Sequence, residues 1–156
     1  MVLPRSWHAA CVLCISTLAI APAWGQSHEV TSGAYTLRAS TVASNMLAPG
    51  TAREHGIERA PTRGVLNVTL MKDRQTVAAE VEVSARSLTG KSRPVTLAPT
   101  TVNGYVSYTG AYDFVHGEVL DFTIQATPQG AGEPLILTFR ERMWGRGDLP
   151  DERQVQ

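Results

Sequence analysis

Val77-Ala-Ala-Glu-Val-Glu-Val-Ser-Ala85 decides the fold class. Val77, Ala79, Val81, Val83 and Ala85 share one parity, and Ala78, Glu80, Glu82 and Ser84 share the other. A period of two sends these sets to opposite faces of an extended chain, one toward a core and one toward water. Wound as a helix, the same residues would scatter valine and glutamate around the cylinder. A strand with one wet face belongs to an antiparallel sheet. Glu80 and Glu82 on that face read as a solvated edge that discourages sheet-to-sheet aggregation.

The pattern extends both ways. Arg63 to Met71 reads as a strand turned back by Lys72-Asp73-Arg74-Gln75, so it is expected to pair with the 77–85 strand. Earlier, Tyr35, Leu37, Ala39 and Thr41 alternate with Thr36, Arg38 and Ser40, while Gln26 to Gly33 is polar and expected to be loose. Asn45 to Gly56 breaks the alternation. Pro49 followed by Gly50-Thr-Ala-Arg-Glu-His55 predicts one or two helical turns ended by Gly56. Downstream come a turn at Leu88 to Lys91, a short edge strand at Pro94 to Thr100 and the tight-turn dipeptide Asn103-Gly104. Strands at Tyr105 to Tyr112, Val119 to Thr127 and Leu135 to about Arg142 complete the series. Short strands about ten residues apart without βαβ alternation predict an all-β, immunoglobulin-like antiparallel β-sandwich of about seven strands with one short helical turn. No Cys-Trp-Cys arrangement is present, so that likeness is one of architecture.

The first 25 residues read as a signal peptide. Arg5 supplies a positive start, Ala9 to Ala21 an uncharged stretch, Pro22 a break, and Ala23 and Gly25 the small residues before a cut that leaves Gln26 first. About 13 apolar residues fall short of the roughly 20 that span a bilayer core, so no stable membrane span is expected after cleavage. Cys11 and Cys14 leave with the leader, which removes disulfide and thiol chemistry from the mature chain. Glutamine at the cut argues against lipidation. The domain is expected over 26–144, followed by a charged, disordered tail at 145–156. Lys plus Arg and Asp plus Glu both number 14, so no net field selects nucleic acid as a partner.

Catalytic patterns are sparse. Beyond the leader the histidines are His28, His55 and His116, and no Gly-x-Ser-x-Gly elbow accompanies them. Met46, Met71 and Met143 offer soft ligands for copper, but Met71 and Met143 close strands, where a methionine ordinarily fills core gaps. Asp113, Glu118 and Asp121 flank the loop holding His116, as loop acids commonly do. Tyr108 and Tyr112 share a parity that Tyr105 does not, so with Phe114 they predict core packing with one or two hydroxyls at its rim. Arg146-Gly147-Asp148 and Asn67-Val-Thr69 match short motifs that recur by chance. The binding candidates are Asn45, His55, Arg59, Arg63 and Asn67, which surround the irregular segment between two strands. Arginines there suit two-point capture of a carboxylate or phosphate; equally, the asparagines suit loop backbone and the arginines a solvated surface.

Three stretches sit in a recognisable order. They are Asn45-Met-Leu-Ala-Pro49 with Gly56-Ile57-Glu-Arg59, then Arg63-Gly64-Val-Leu66-Asn67-Val68, then Ala85-Arg-Ser-Leu88-Thr-Gly90. With Tyr105, Phe114, Leu120-Asp-Phe122 and Phe139, the chain resembles the domain of unknown function 4426 family of short exported Gram-negative proteins, over about residues 30 to 144. The resemblance implies a periplasmic β-sandwich with no assigned activity and supplies no catalytic residue. The longer charged C-terminal tail departs from it. The expectation is a non-enzymatic module that binds a protein or envelope component through a sheet edge or the Asn45-to-Asn67 segment, without a cofactor. A small-ligand or metal carrier is the alternative, and an enzyme comes last.

Overall fold

The computed structural model describes residues 27–130 and 133–145. The expected leader and charged tail lie outside the described residues, apart from Gly145. Among the described residues, ten strands form two antiparallel sheets facing each other. In chain order they are β1 (Ser27–Ser32), β2 (Tyr35–Ala43), β3 (Arg63–Lys72), β4 (Gln75–Thr76), β5 (Ala79–Ser87), β6 (Ser92–Arg93), β7 (Ala98–Val102), β8 (Tyr105–Asp113), β9 (Val119–Pro128) and β10 (Leu135–Arg142). One sheet runs β1-β2-β3-β8-β7 with β4 beside β3, and the other runs β10-β9-β5-β6. The all-β sandwich expected from the alternation is the observed fold.

The core follows the parity of each strand. Leu37, Leu66, Val68 and Leu70 from one sheet meet Leu120, Phe122, Ile124 and Phe139 from the other, all buried. Burying side chains of this size contributes roughly 1.5 to 3 kcal/mol each. Phe122 stacks on Phe139 with centroids 4.9 Å apart and meets Tyr112 edge-on at 5.5 Å. Tyr108 and Tyr112 are buried while Tyr105 is 54% exposed, as their parities require. Val81 and Val83 face inward on β5, and Glu80 and Glu82 face solvent.

Three local expectations are corrected. Residues 27–32 form an edge strand paired with β2 from Ser27–Ser40 to Ser32–Tyr35, instead of a loose lead-in. Main-chain pairing across the turn at Gly33 (φ +58°) orders this polar segment, with His28 and Val30 half-buried. Strand β3 does not pair with β5. It turns at Asp73 and Arg74, both at positive φ, into the two-residue β4, and the chain then crosses to the other sheet. Thr76 secures that crossing, its Oγ1 accepting the Val106 N–H at 2.8 Å. Finally, the expected strand at Pro94 to Thr100 is a second crossing: β6 pairs with β5, β7 with β8, and residues 94–97 connect the sheets. The backbone passes so close there that a Cβ on Gly110 would stand 2.5 Å from the Thr96 carbonyl oxygen.

Asn103 (φ +50°) and Gly104 (φ +80°) make the predicted tight turn between β7 and β8. The helical turn is also present as α1 (Pro49–Glu54), after a 3-10 turn at Ser44–Met46. Proline at its first position has the helical φ built in. At its end, Ile57 N–H donates to Ala52 O (2.7 Å) and Gly56 N–H to Arg53 O (3.1 Å), a Schellman closure made by Gly56 at φ +63°.

Tyr108 joins the sheets through a polar contact. Its hydroxyl donates to the Ala79 carbonyl and accepts the Ala79 N–H, both at 2.8 Å. Tyr108→Phe leaves two buried main-chain groups unpaired, and a loss of about 1 to 3 kcal/mol is expected in urea unfolding. A loss under about 0.5 kcal/mol would remove the hydroxyl as a tie between the sheets.

Candidate functional site

Outward-facing positions of β3 and β8 carry Arg63, Asn67, Thr109, Ala111 and Asp113, in the pairs Arg63–Asp113, Val65–Ala111 and Asn67–Thr109. Val65 and Ala52 are buried yet stand outside the inter-sheet cluster, which places the α1 segment as a cover over this end of the outer face. Ser44 pins that cover. Its Oγ accepts the Ala60 N–H at 2.9 Å and donates to the main-chain oxygens of Glu58 (2.9 Å) and Ala60 (3.2 Å). A fully buried serine in this position closes the loop on itself.

Between this cover and β7–β8 lies an open cleft of about 530 Å3. His55 and Arg63 are on its lining with Glu54, Glu58, Thr100 and Ala111. Of the five binding candidates, His55 and Arg63 therefore share one cavity. Asn67 borders it through its side-chain amide, which donates to the lining Thr109 Oγ1 at 2.9 Å. Asn45 and Arg59 are not on the lining; the Arg59 guanidinium donates to the Asn45 carbonyl oxygen at 2.8 Å and ties the two ends of the segment. Arg63 is engaged within the chain, by Glu58 at 2.7 Å and Asp113 at 3.5 Å. An incoming anion at Arg63 has two carboxylates as competitors.

The loop between β8 and β9 is built around a different ion pair. Arg93 at the sheet edge grips Glu118 with N–O distances of 2.7 to 3.2 Å, and both side chains are 12% exposed. The Val115 N–H adds a bond to the same carboxylate at 2.9 Å. Burial opposes ionisation of Glu118, but the arginine and the backbone N–H outweigh it and hold the carboxyl below its ordinary range. Beside it, His116 meets the Trp144 ring edge-on at 4.7 Å, and Gly117 N–H donates to Met143 O at 2.9 Å. The arginine of Arg140–Asp121, an exposed pair on the outer face of β9 and β10, likewise holds the Asp121 carboxyl low.

Two features lay beyond the sequence reading. His28 stacks on Phe139 at 4.1 Å and stands 3.6 Å from Glu141, across the side where β1 approaches β10. Its parity with Val30 was the available signal, masked by the polar residues between and around them. The other is the Tyr112 hydroxyl, set against Thr41 Oγ1 and 3.4 Å from Met143 Sδ. Burial drives that phenol well above its ordinary range despite the Thr41 hydrogen bond. Among the described residues, no group of three or more His, Cys, Asp or Glu gathers as a metal site.

The lowered Glu118 carboxyl gives a pH signature. Its folded value lies below its unfolded one, so the pair stabilises above the ordinary carboxylate range, and that contribution is lost as pH falls through the folded value. Arg93→Ala is expected to destabilise most near neutrality, with the difference from the native chain shrinking in urea unfolding taken from about pH 7 to about pH 2. A constant difference across that range would overturn the assignment.

Comparison with known proteins follows the same outline. The model of the family described as Domain of unknown function (DUF4426) matches residues 29–145. A crystal structure of a DUF4426 family protein from Pseudomonas aeruginosa PAO1 is similar at TM-score 0.67 and 25% identity, covering 76% of this chain and 95% of that one. A copper-bound variant of FetP from uropathogenic Escherichia coli strain F11 is similar at TM-score 0.54 and 13% identity, covering 77% of this chain and 99% of that one. That second likeness extends to the fold alone. No curated protein matches the chain.

Proposed function

The chain belongs to the DUF4426 family, and from that premise we propose that it is an exported, periplasmic, non-enzymatic module that binds a protein or envelope component. The observation that carries this reading is the cleft above β7 and β8, with its cover held by main-chain bonds to Ser44. Binding surfaces commonly sit on loops held by a rigid scaffold, and this loop is held at both ends. The leader at residues 1–25 supports export, and the family match begins beyond it. Glu118 and Asp121, whose carboxyls are held low, are paired with Arg93 and Arg140 and are not on the cleft lining.

The carrier reading draws less support. The FetP variant was solved with copper, but here Met143 Sδ lies against the Tyr112 hydroxyl, whereas Met71 sits at the far end of β3 from Gly64, the residue paired with Tyr112. Those two sulfurs do not meet.

Ala111 is exposed on the cleft lining and makes a clean test. Ala111→Arg is expected to change unfolding stability by less than about 0.5 kcal/mol while abolishing cross-linking of the chain to its specific partner in intact cells. Unchanged partner capture by this folded variant would exclude the cleft.

A further inference from the structure

Strand β5 lacks a second neighbour along most of its length. Its register with β9 is continuous from Ala79–Pro128 to Ser87–Leu120. On the other side, β6 provides two residues, opposite Ala85 and Arg86. The main-chain groups on that side can be identified from both ends of the strand. Ala79 directs its N–H and C=O to the Tyr108 hydroxyl, and Ser87 directs its N–H to the Lys91 carbonyl at 2.9 Å. Both residues point away from β9, and with no break in the register the same parity applies to Val81 and Val83. Their N–H and C=O groups face a lane that β6 does not reach, and among the described residues no main-chain bond from outside the β5–β9 ladder meets them.

The connection 94–97 leaves β6 beyond Arg93, opposite Ala85, and crosses to the facing sheet at Gly110. The edge strand of that sheet, β7, lies one position beyond β8. Pro99, paired with the inward-facing Tyr108, shares its inward direction, and so does Thr101; both are exposed. On the inner side of the lane Val81 and Val83 are only partly buried against the core, as are Val95 and Leu97 of the connection that crosses at Gly110. On its outer side Glu80 and Glu82 are exposed and have no ion-pair partner among the described residues.

The two faces together specify an occupant. We propose that the lane beside residues 79–83 is a strand-addition site for an extended segment of a partner polypeptide in which apolar residues alternate with lysine or arginine. Such a segment would pair its main chain with Val81 and Val83, turn its apolar side chains toward Val81 and Val83, and set its cations opposite Glu80 and Glu82. A second copy of this chain is the wrong occupant. Antiparallel self-pairing would place the glutamates of two copies side by side on one face, where like charges repel. This site is separate from the cleft, which lies on the outer face of the other sheet.

The test uses the mature chain and blocked synthetic hexapeptides, one alternating valine with lysine, one alternating valine with glutamate, and one with the valine and lysine of the first in segregated blocks. The alternating valine–lysine peptide is expected to slow amide hydrogen exchange at Val81 and Val83, and the other two to leave it unchanged. The double variant Glu80→Lys and Glu82→Lys, which alters only exposed side chains, is expected to weaken that peptide roughly tenfold and to admit the valine–glutamate peptide. Val83→Pro removes one lane-facing N–H and is expected to abolish binding with β9 pairing intact. Ala111→Arg is expected to bind the peptide normally, which separates failure of the lane from failure of the cleft. No protection at Val81 and Val83, equal protection by all three peptides, or a dimer in sedimentation that protects these same amides would overturn the proposal.

Discussion

The hydroxyl of Tyr108 decides how the two sheets meet. A phenol buried in an apolar core must find partners, and it finds both the N–H and the C=O of Ala79. Because the two groups belong to one residue, they hold β5 at a single lateral position beneath β8. With that offset go the alignment of Phe122 beneath Tyr112, the approach of β1 to β10 on one side and the largely unpaired edge of β5 on the other. Hydrophobic burial alone drives the sheets together without choosing among lateral offsets, since it is non-directional. A hydrogen-bonded pair does choose.

Of the three crossings between sheets, two carry polar side-chain ties near the edge. Thr76 takes the Val106 N–H where the chain leaves β4, and Arg93 grips Glu118 where it leaves β6. Gly110 permits the second crossing by leaving room for the Thr96 carbonyl. The α1 segment is handled in a similar way, with Ser44 and Arg59 bonding main-chain oxygens and Arg63 held by Glu58 and Asp113. The outer-face cleft owes its shape to these internal bonds. It is a polar, open surface, unlike the enclosed apolar cavity that usually retains a small ligand.

Strand positions were legible because parity is local. Leu37, Val68, Leu120 and Phe139 are inside for the reason their spacing states, and Tyr105 is outside for the same reason. Sheet membership was less accessible. The turn at Lys72 to Gln75 looks like a hairpin and is one, yet the returning strand is two residues long and the obvious partner, β5, belongs to the opposite sheet. The candidate site was legible in part. A break in alternation marked the Asn45-to-Asn67 segment, but the spacing did not reveal that His55 and Arg63 line one cavity while Asn45 and Arg59 bond one another elsewhere.

By itself the sequence determined the class of the fold, the strand faces, the tight turn at Asn103-Gly104 and the helical turn closed by Gly56. Each depends on residues within a few positions of one another, where steric preference and periodicity act without reference to the rest of the chain. Tertiary structure alone decided which strands share a sheet, that His28 stacks on Phe139, and that Val81 and Val83 keep an edge without a neighbour. Those outcomes depend on contacts between residues far apart in the chain, and burying one set of apolar faces against another selects among pairings that local preference leaves equal.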